Sequence, residues 1–212
     1  PVAGDKTARR IGGFTQQAPD ARIYQSVAIE ALRIEGQRPV QDARLRRVRR
    51  ALKVCRRWAD HPLTVLDVGS NLGSFCFQAA RTGWVERAVG LEAFPVYVEA
   101  ARCLKFLLDD VRCEFVEFVC GRDELRAVAD RADLALMLSV YHHIPAKDVF
   151  LGQLAALGLS MLVAEFATQD RYYPEWGNLE REMAHIATTV GLPRVTEIGR
   201  SPDYRRPIVV FT

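Results

Sequence analysis

The stretch Thr64-Val65-Leu66-Asp67-Val68-Gly69-Ser70-Asn71-Leu72-Gly73 constrains this chain more than any other. An apolar run containing β-branched residues closes around an acidic residue, two glycines follow, and a helical pattern begins at Ser74-Phe75. That order describes a strand, a tight loop and a helix N-terminus. Free N–H groups at a helix start make a ready site for polar or anionic groups. Gly69 and Gly73 let the loop backbone approach a ligand with no Cβ in the way. Twenty-five residues after Asp67, a second apolar stretch, Ala88-Val89-Gly90-Leu91, ends in Glu92. A carboxylate at the tip of the second strand is placed to accept hydrogen bonds from two ribose hydroxyls. Together these features predict a nucleoside ligand.

The rest of the chain alternates strand and helix patterns as a doubly wound sheet requires. Strands are expected over 63–68, 87–92, 113–119, 133–140 and 159–166, and near 194–198 and 207–211. Helices are expected over 73–83, 95–108, 122–129, 146–157 and 177–190, after a short helix between Gln25 and Gln37 and a longer one over 44–57. With 212 residues the chain suits one structural domain. Residues 1–60 read as a lid and basic helical extension, and 61–212 as the core. No apolar run approaches the roughly 18–20 residues that span a bilayer. The N-terminus has no apolar signal core, and the missing initial Met points to a trimmed chain or an excised domain. The five cysteines, at 55, 76, 103, 113 and 120, are scattered and odd in number. They read as reduced small hydrophobes of a cytoplasmic protein, with no zinc spacing and no metal expected.

Charge is uneven. Residues 1–60 hold 14 Lys and Arg against 6 Asp and Glu, whereas the remainder holds 15 against 20. In 44–57 the apolar Leu45, Val48, Leu52 and Cys55 fall on one face of a helix whose outer face is arginine-rich. An anionic partner such as RNA or a phosphorylated substrate suits that face. So does plain solvation in a chain where 25 of 29 basic residues are Arg.

The loop itself, Asp67-x-Gly69-x-Asn71-x-Gly73, is not the dinucleotide fingerprint, whose glycines lie closer together. It resembles motif I of the class I S-adenosylmethionine (SAM)-dependent methyltransferases, with Asn71 in place of the middle glycine. The resemblance implies a Rossmann-like, doubly wound, seven-stranded and mostly parallel α/β sheet with the last strand antiparallel, plus N-terminal helices. It implies SAM as cofactor and S-adenosylhomocysteine as product. Asp67 would lie under the loop near the amino-acid moiety and Glu92 would hold the ribose. Gly69, Ser70, Asn71, Gly73, Phe75, Ala93, Phe94, Gly121, Arg122, Ser139 and Tyr141 would line the cofactor site. Asp123 would meet the adenine amino group, or cap the helix that follows.

In that family the exit of the fourth strand, Ser139-Val140-Tyr141-His142-His143-Ile144-Pro145, faces the methyl group. Signatures for amino-group, cytosine C5 and metal-dependent catechol methylation are absent. Two imidazoles stand there instead, and either can take a proton from a hydroxyl or an ammonium, so the acceptor is a hydroxyl or an amine. His143 is preferred, because it shares a direction with Tyr141 if the segment is extended. A capping and a structural role for the two rings is the competing reading. Leu138–Ile144, motif I and the Gly199-Arg200-Ser201 to Arg206-Pro207 stretch also resemble the methyltransferase domains that cap bacterial surface polysaccharides. That resemblance implies a bacterial-type enzyme and a small-molecule or glycan acceptor. Candidate acceptor contacts are Tyr24, Arg38, Glu165, Arg171, Tyr172, Tyr173 and Trp176. An RNA methyltransferase using the arginine-rich helix, and a SAM-binding subunit of a heteromer without turnover, are the rival readings.

Overall fold

The computed structural model describes residues 10–11, 14–15, 25–29, 32–37, 43–167, 179–201 and 205–212. Its centre is a seven-stranded sheet of β5 (Leu63–Val68), β6 (Val85–Glu92), β7 (Cys113–Glu117), β8 (Leu134–Leu138), β9 (Met161–Glu165), β10 (Val195–Arg200) and β11 (Pro207–Phe211). The spatial order is β10-β11-β9-β8-β5-β6-β7. All pairings from β9 to β7 are parallel, and β11 runs antiparallel between β9 and β10. This is the expected fold class. The chain leaves β5 in one direction through β6 and β7, then returns to its other side at β8. The crevice at that reversal, beyond the carboxyl ends of β5 and β8, is where such sheets bind ligands.

Sequence and packing agree along the central strands. Every residue of β5, β8 and β9 is buried, as a parallel sheet covered on both faces demands. One face carries α1 (Ala43–Trp58), α2 (Ser74–Ala80) and α3 (Pro95–Leu108). The other carries α4 (Lys147–Ala155) and α5 (Leu179–Val190). Pro95 opens α3, where its missing N–H is no loss. Leu45, Val48, Leu52 and Cys55 of α1 are buried, as their spacing predicts.

Two expected elements take another form. Residues 122–129 yield only a 3₁₀ turn, Leu125–Ala127. Asp123 Oδ2 accepts the Val119 N–H at 2.7 Å, and the N–H groups of Arg122 and Asp123 both donate to Val119 O. That local turn competes with a helix too short to nucleate alone. No helix appears in the described part of 25–37. There β3 (Val27–Ile29) and β4 (Leu32–Ile34) form an antiparallel hairpin in the register Val27↔Ile34. The β-branched Val27, Ile29 and Ile34 favour this pairing. Upstream, β1 (Arg10–Ile11) and β2 (Phe14–Thr15) form another small hairpin. Thus α1 is the only N-terminal helix among the described residues. The β3 hairpin docks on α2, where Gln78 Nε2 donates to Ala28 O at 3.1 Å and Ser74 Oγ to Ser26 O at 3.3 Å.

Candidate active site

Where β5 ends, the chain bends through Gly69–Gly73 before α2. The N–H groups of Gly69 and Ser70 donate to Leu91 O at 2.8 and 3.1 Å, tying the loop to β6. Glu92 completes the tie: Oε2 accepts from Asn71 N–H at 2.9 Å and Oε1 from Phe94 N–H at 3.0 Å. Burial pushes the Glu92 carboxyl up, and these backbone donors pull it partly back. Gly69 and Gly73 have φ of 72° and 76°. A Cβ on Gly69 would come within 2.7 Å of the Val140 side chain, and one on Gly73 within 2.2 Å of the Phe115 ring. Asn71 also sits in the left-handed region, with φ 50°. Below the loop, Asp67 is buried with Oδ2 accepting from Cys76 Sγ at 3.7 Å. Desolvation raises its carboxyl to about 7.

Two atoms of this loop, Ser70 Oγ and Asn71 Oδ1, are buried without a hydrogen-bond partner among the described residues. Such atoms in a native fold call for a ligand or water. Gly90 makes room for one of them, since a Cβ there would lie 2.6 Å from Ser70 Oγ. Its role was not anticipated, yet a lone glycine inside an apolar strand is the signal for such a close approach. The cradle therefore fits a polar nucleoside cofactor.

Facing the loop is the exit of β8. Ser139 has φ 62°, Oγ donating to Glu165 Oε2 and accepting from Arg206 Nη1 at 3.0 Å. Glu165 is 0% exposed and lies 3.5 Å from Arg44 Nη1 of α1, itself 1% exposed. Arg44 also donates to Gln25 Oε1, and its guanidinium lies 5.5 Å from the Phe75 ring centre. A buried polar chain thus joins Gln25, α1, β9, β8 and the segment before β11. Glu165, expected to meet an acceptor, is instead held inside this chain. Arg44, expected on the outer face of its helix, turns inward. Nothing local marks that turn, because its partner lies far along the sequence.

Tyr141–His143 form a 3₁₀ turn, so the extended geometry behind the preference for His143 does not hold. Tyr141 is buried in the apolar cluster that α4 and α5 form on their face of the sheet. Its hydroxyl donates to Glu182 Oε2 of α5 at 3.1 Å and its ring meets Phe166 edge-on at 6.0 Å. His142 is buried, and desolvation, then His143, Arg206 and Lys147, push it down to about 3. His143 is exposed, its ring centre 4.0 Å from that of His142. Ala93 and Phe94 are half-buried at the β6 exit, where Phe94 packs edge-on against Tyr97. Asp123 does not cap a helix with its side chain; it binds Val119 N–H and Arg122, which together hold its carboxyl low despite partial burial. Gly121 (φ 80°) packs against Ala146. Tyr24, Arg38, Arg171, Tyr172, Tyr173 and Trp176 lie outside the described residues.

A shallow cavity of about 400 Å³, lined by Arg81 and residues 108–112, lies at the amino ends of the strands. It is remote from the loop and takes no part in this site. Among the described residues no three His, Cys, Asp or Glu side chains gather as a metal set, and no helix is long and apolar enough to cross a membrane.

Residues 38–194 match the family model of a methyltransferase domain. This chain belongs to that methyltransferase family. Its cofactor is SAM, for which the loop and the orphaned Ser70 and Asn71 atoms make a suitable cradle. Crystal structures of WbdD, a bifunctional kinase-methyltransferase, superpose with a TM-score of 0.70 at 22% identity, over 91% of this chain and 45% of theirs. The chain thus spans less than half the length of that relative. A SAM-dependent methyltransferase from Aquifex aeolicus matches with a TM-score of 0.56 at 17% identity, over 79% of this chain and 98% of that one. The methyltransferase domain of bacterial CtHen1 matches with a TM-score of 0.61 at 17% identity, over 80% and 97%. At these identities the likeness is one of fold. No protein with a curated description matches the sequence.

Proposed function

We propose that this methyltransferase modifies a hydroxyl of a small-molecule or glycan acceptor, with His143 taking the hydroxyl proton. The observation that carries this reading is the exposed His143 ring beyond β8, in the segment whose Val140 lies against Gly69 of the cofactor loop. When bound, SAM supplies a methyl group on a positively charged sulfur. The chain has to align the acceptor oxygen and relieve it of its proton. As the new C–O bond forms and the C–S bond breaks, the proton passes to His143 and then to solvent. His142, neutral down to about pH 3, is a poor base and instead backs the His143 ring. Asp67, Ser70, Asn71 and Glu92 hold the cofactor, with Asp123 near the adenine.

Methyl transfer from labelled SAM to a panel of glycans and small alcohols tests the base. His143→Ala lowers turnover by about 10²–10⁴-fold while S-adenosylhomocysteine binds as before; undiminished turnover overturns the assignment. Glu92→Ala weakens S-adenosylhomocysteine at least about tenfold, or roughly 1.4 kcal/mol. A wild-type chain that binds the cofactor but methylates nothing in the panel favours a non-catalytic subunit.

One observation favours a second acceptor class. Arg46, Arg50, Lys53 and Arg57 are all exposed on α1, which carries no acidic residue. At 100° per residue they occupy an arc of about 60° and run for about 16 Å. None has an ion-pair partner among the described residues. That line of charge suits a nucleic-acid backbone. Binding of single-stranded RNA that falls steeply with salt, and that Arg46→Gln/Arg50→Gln weakens, would move the acceptor to RNA.

A further inference from the structure

Four residues other than glycine have a left-handed backbone among the described residues: Asn71, Asp109, Ser139 and Arg205. Asp109 ends α3, where that conformation is common. The other three stand at the carboxyl edge of the parallel strands, since β11 runs antiparallel to β9 and begins at that edge. Strained backbone persists only where its surroundings over-determine it, and it gathers at functional sites. Asn71 belongs to the cofactor loop. Ser139, with φ 62°, follows directly on β8 and has no such explanation.

Ser139 is gripped from two sides. Its N–H donates to Glu165 O at 3.2 Å and its Oγ donates to Glu165 Oε2. Glu165 is itself fixed, fully buried and 3.5 Å from Arg44 Nη1. From the other side Arg206 Nη1 donates to Ser139 Oγ at 3.0 Å, just after the bend at Arg205. The bend at Ser139 redirects the chain that follows. A strand continued past Leu138 would carry the next residues straight out beyond the sheet edge. Instead the Val140 side chain lies against Gly69, and its carbonyl accepts the His143 N–H at 2.8 Å, closing the turn that bears both imidazoles. We propose that Ser139 is a positioning residue: held by Glu165 and Arg206, it sets where the His143 turn stands relative to the cofactor loop. This deepens the reading of His143 as the base and rests on it. A hydroxyl suits the task, because it donates and accepts at once. Glycine tolerates the same backbone but makes neither bond, whereas asparagine tolerates it and can make both.

The chain has four histidines, so single substitutions assign their ring resonances in isotope-labelled protein. S-adenosylhomocysteine shifts the His143 resonance of the wild type. Ser139→Gly binds S-adenosylhomocysteine within about twofold of wild type by calorimetry but loses that shift, and Ser139→Asn restores it. Turnover on an acceptor from the panel falls about 10²-fold in Ser139→Gly at unchanged KM for SAM, the loss expected from a displacement of about 1 Å. A wild-type His143 signal that ignores the ligand overturns the proposal, as does a Ser139→Gly protein that keeps the full shift. Ser139→Asn behaving like Ser139→Gly overturns it too. Weakened S-adenosylhomocysteine binding in Ser139→Gly also overturns it, by making Ser139 a direct contact of the cofactor. The base assignment fails separately, when His143→Ala turns over as wild type; the ligand-induced shift is read with no acceptor present.

Discussion

Asn71 shows how one residue carries two separable roles. It stands where the methyltransferase pattern has its middle glycine, and its backbone adopts the left-handed conformation with φ 50°. For most residues that conformation costs about 1–2 kcal/mol, and Asn tolerates it best after Gly. The side-chain Oδ1 is separately buried and unpartnered among the described residues. Asn71→Ala should therefore lower stability by about 1 kcal/mol, whereas Asn71→Gly should leave the denaturation midpoint nearly unchanged. Both substitutions remove Oδ1, so calorimetric titration should show S-adenosylhomocysteine binding weakened alike in the two. Equal loss of stability would mean the backbone is not the constraint. Asp67, the two loop glycines and Glu92 are legible because residue type and spacing alone imply a strand–loop–helix unit. Gly90 is not, since its meaning depends on Ser70 lying over the neighbouring strand.

At the scale of elements, legibility follows how local the determining contacts are. The bounds of β5 and α3 match their expected ranges to the residue, because a buried β-branched strand and a Pro-initiated helix declare themselves. The 122–129 segment does not, because a carboxylate and one carbonyl capture its first turn. Helix α1 is legible as an amphipathic helix, yet its link to the site passes through Arg44 and Glu165, 121 residues apart. Breaking a buried pair by removing one partner costs about 3–5 kcal/mol, much of it from the stranded charge. Arg44→Met should fall in that range by urea denaturation. Arg44→Met/Glu165→Gln should cost less than the two single changes together, since no buried charge is left behind. Strict additivity would show that the two side chains act independently and that α1 is not clamped to β9 through them.

At the scale of the molecule, the site leaves a mark on how stability depends on pH. Asp67 is raised to about 7 in the fold against about 3.9 unfolded. Its contribution is complete below about pH 4 and lost as pH rises through 7, with an upper bound of roughly 4 kcal/mol. Glu92, also raised, acts in the same sense. His142 works in the opposite sense. Depressed to about 3 against about 6.5 unfolded, it is neutral in both states above pH 6.5 and opposes folding progressively as pH falls toward 3. Between about pH 4.5 and 6.5 the two slopes offset each other, so the wild-type melting temperature should vary little there. Asp67→Asn removes the group that gains in acid, and its melting temperature should fall more steeply than wild type as pH drops through this window. His142→Gln removes the group that loses in acid, and its melting temperature should instead rise relative to wild type over the same window. Parallel curves for all three proteins would show that neither group changes its protonation on folding, and that the site is wetter than its packing indicates. Opposite departures would show that the buried acid beneath the loop and the buried imidazole of His142 are each held neutral by desolvation.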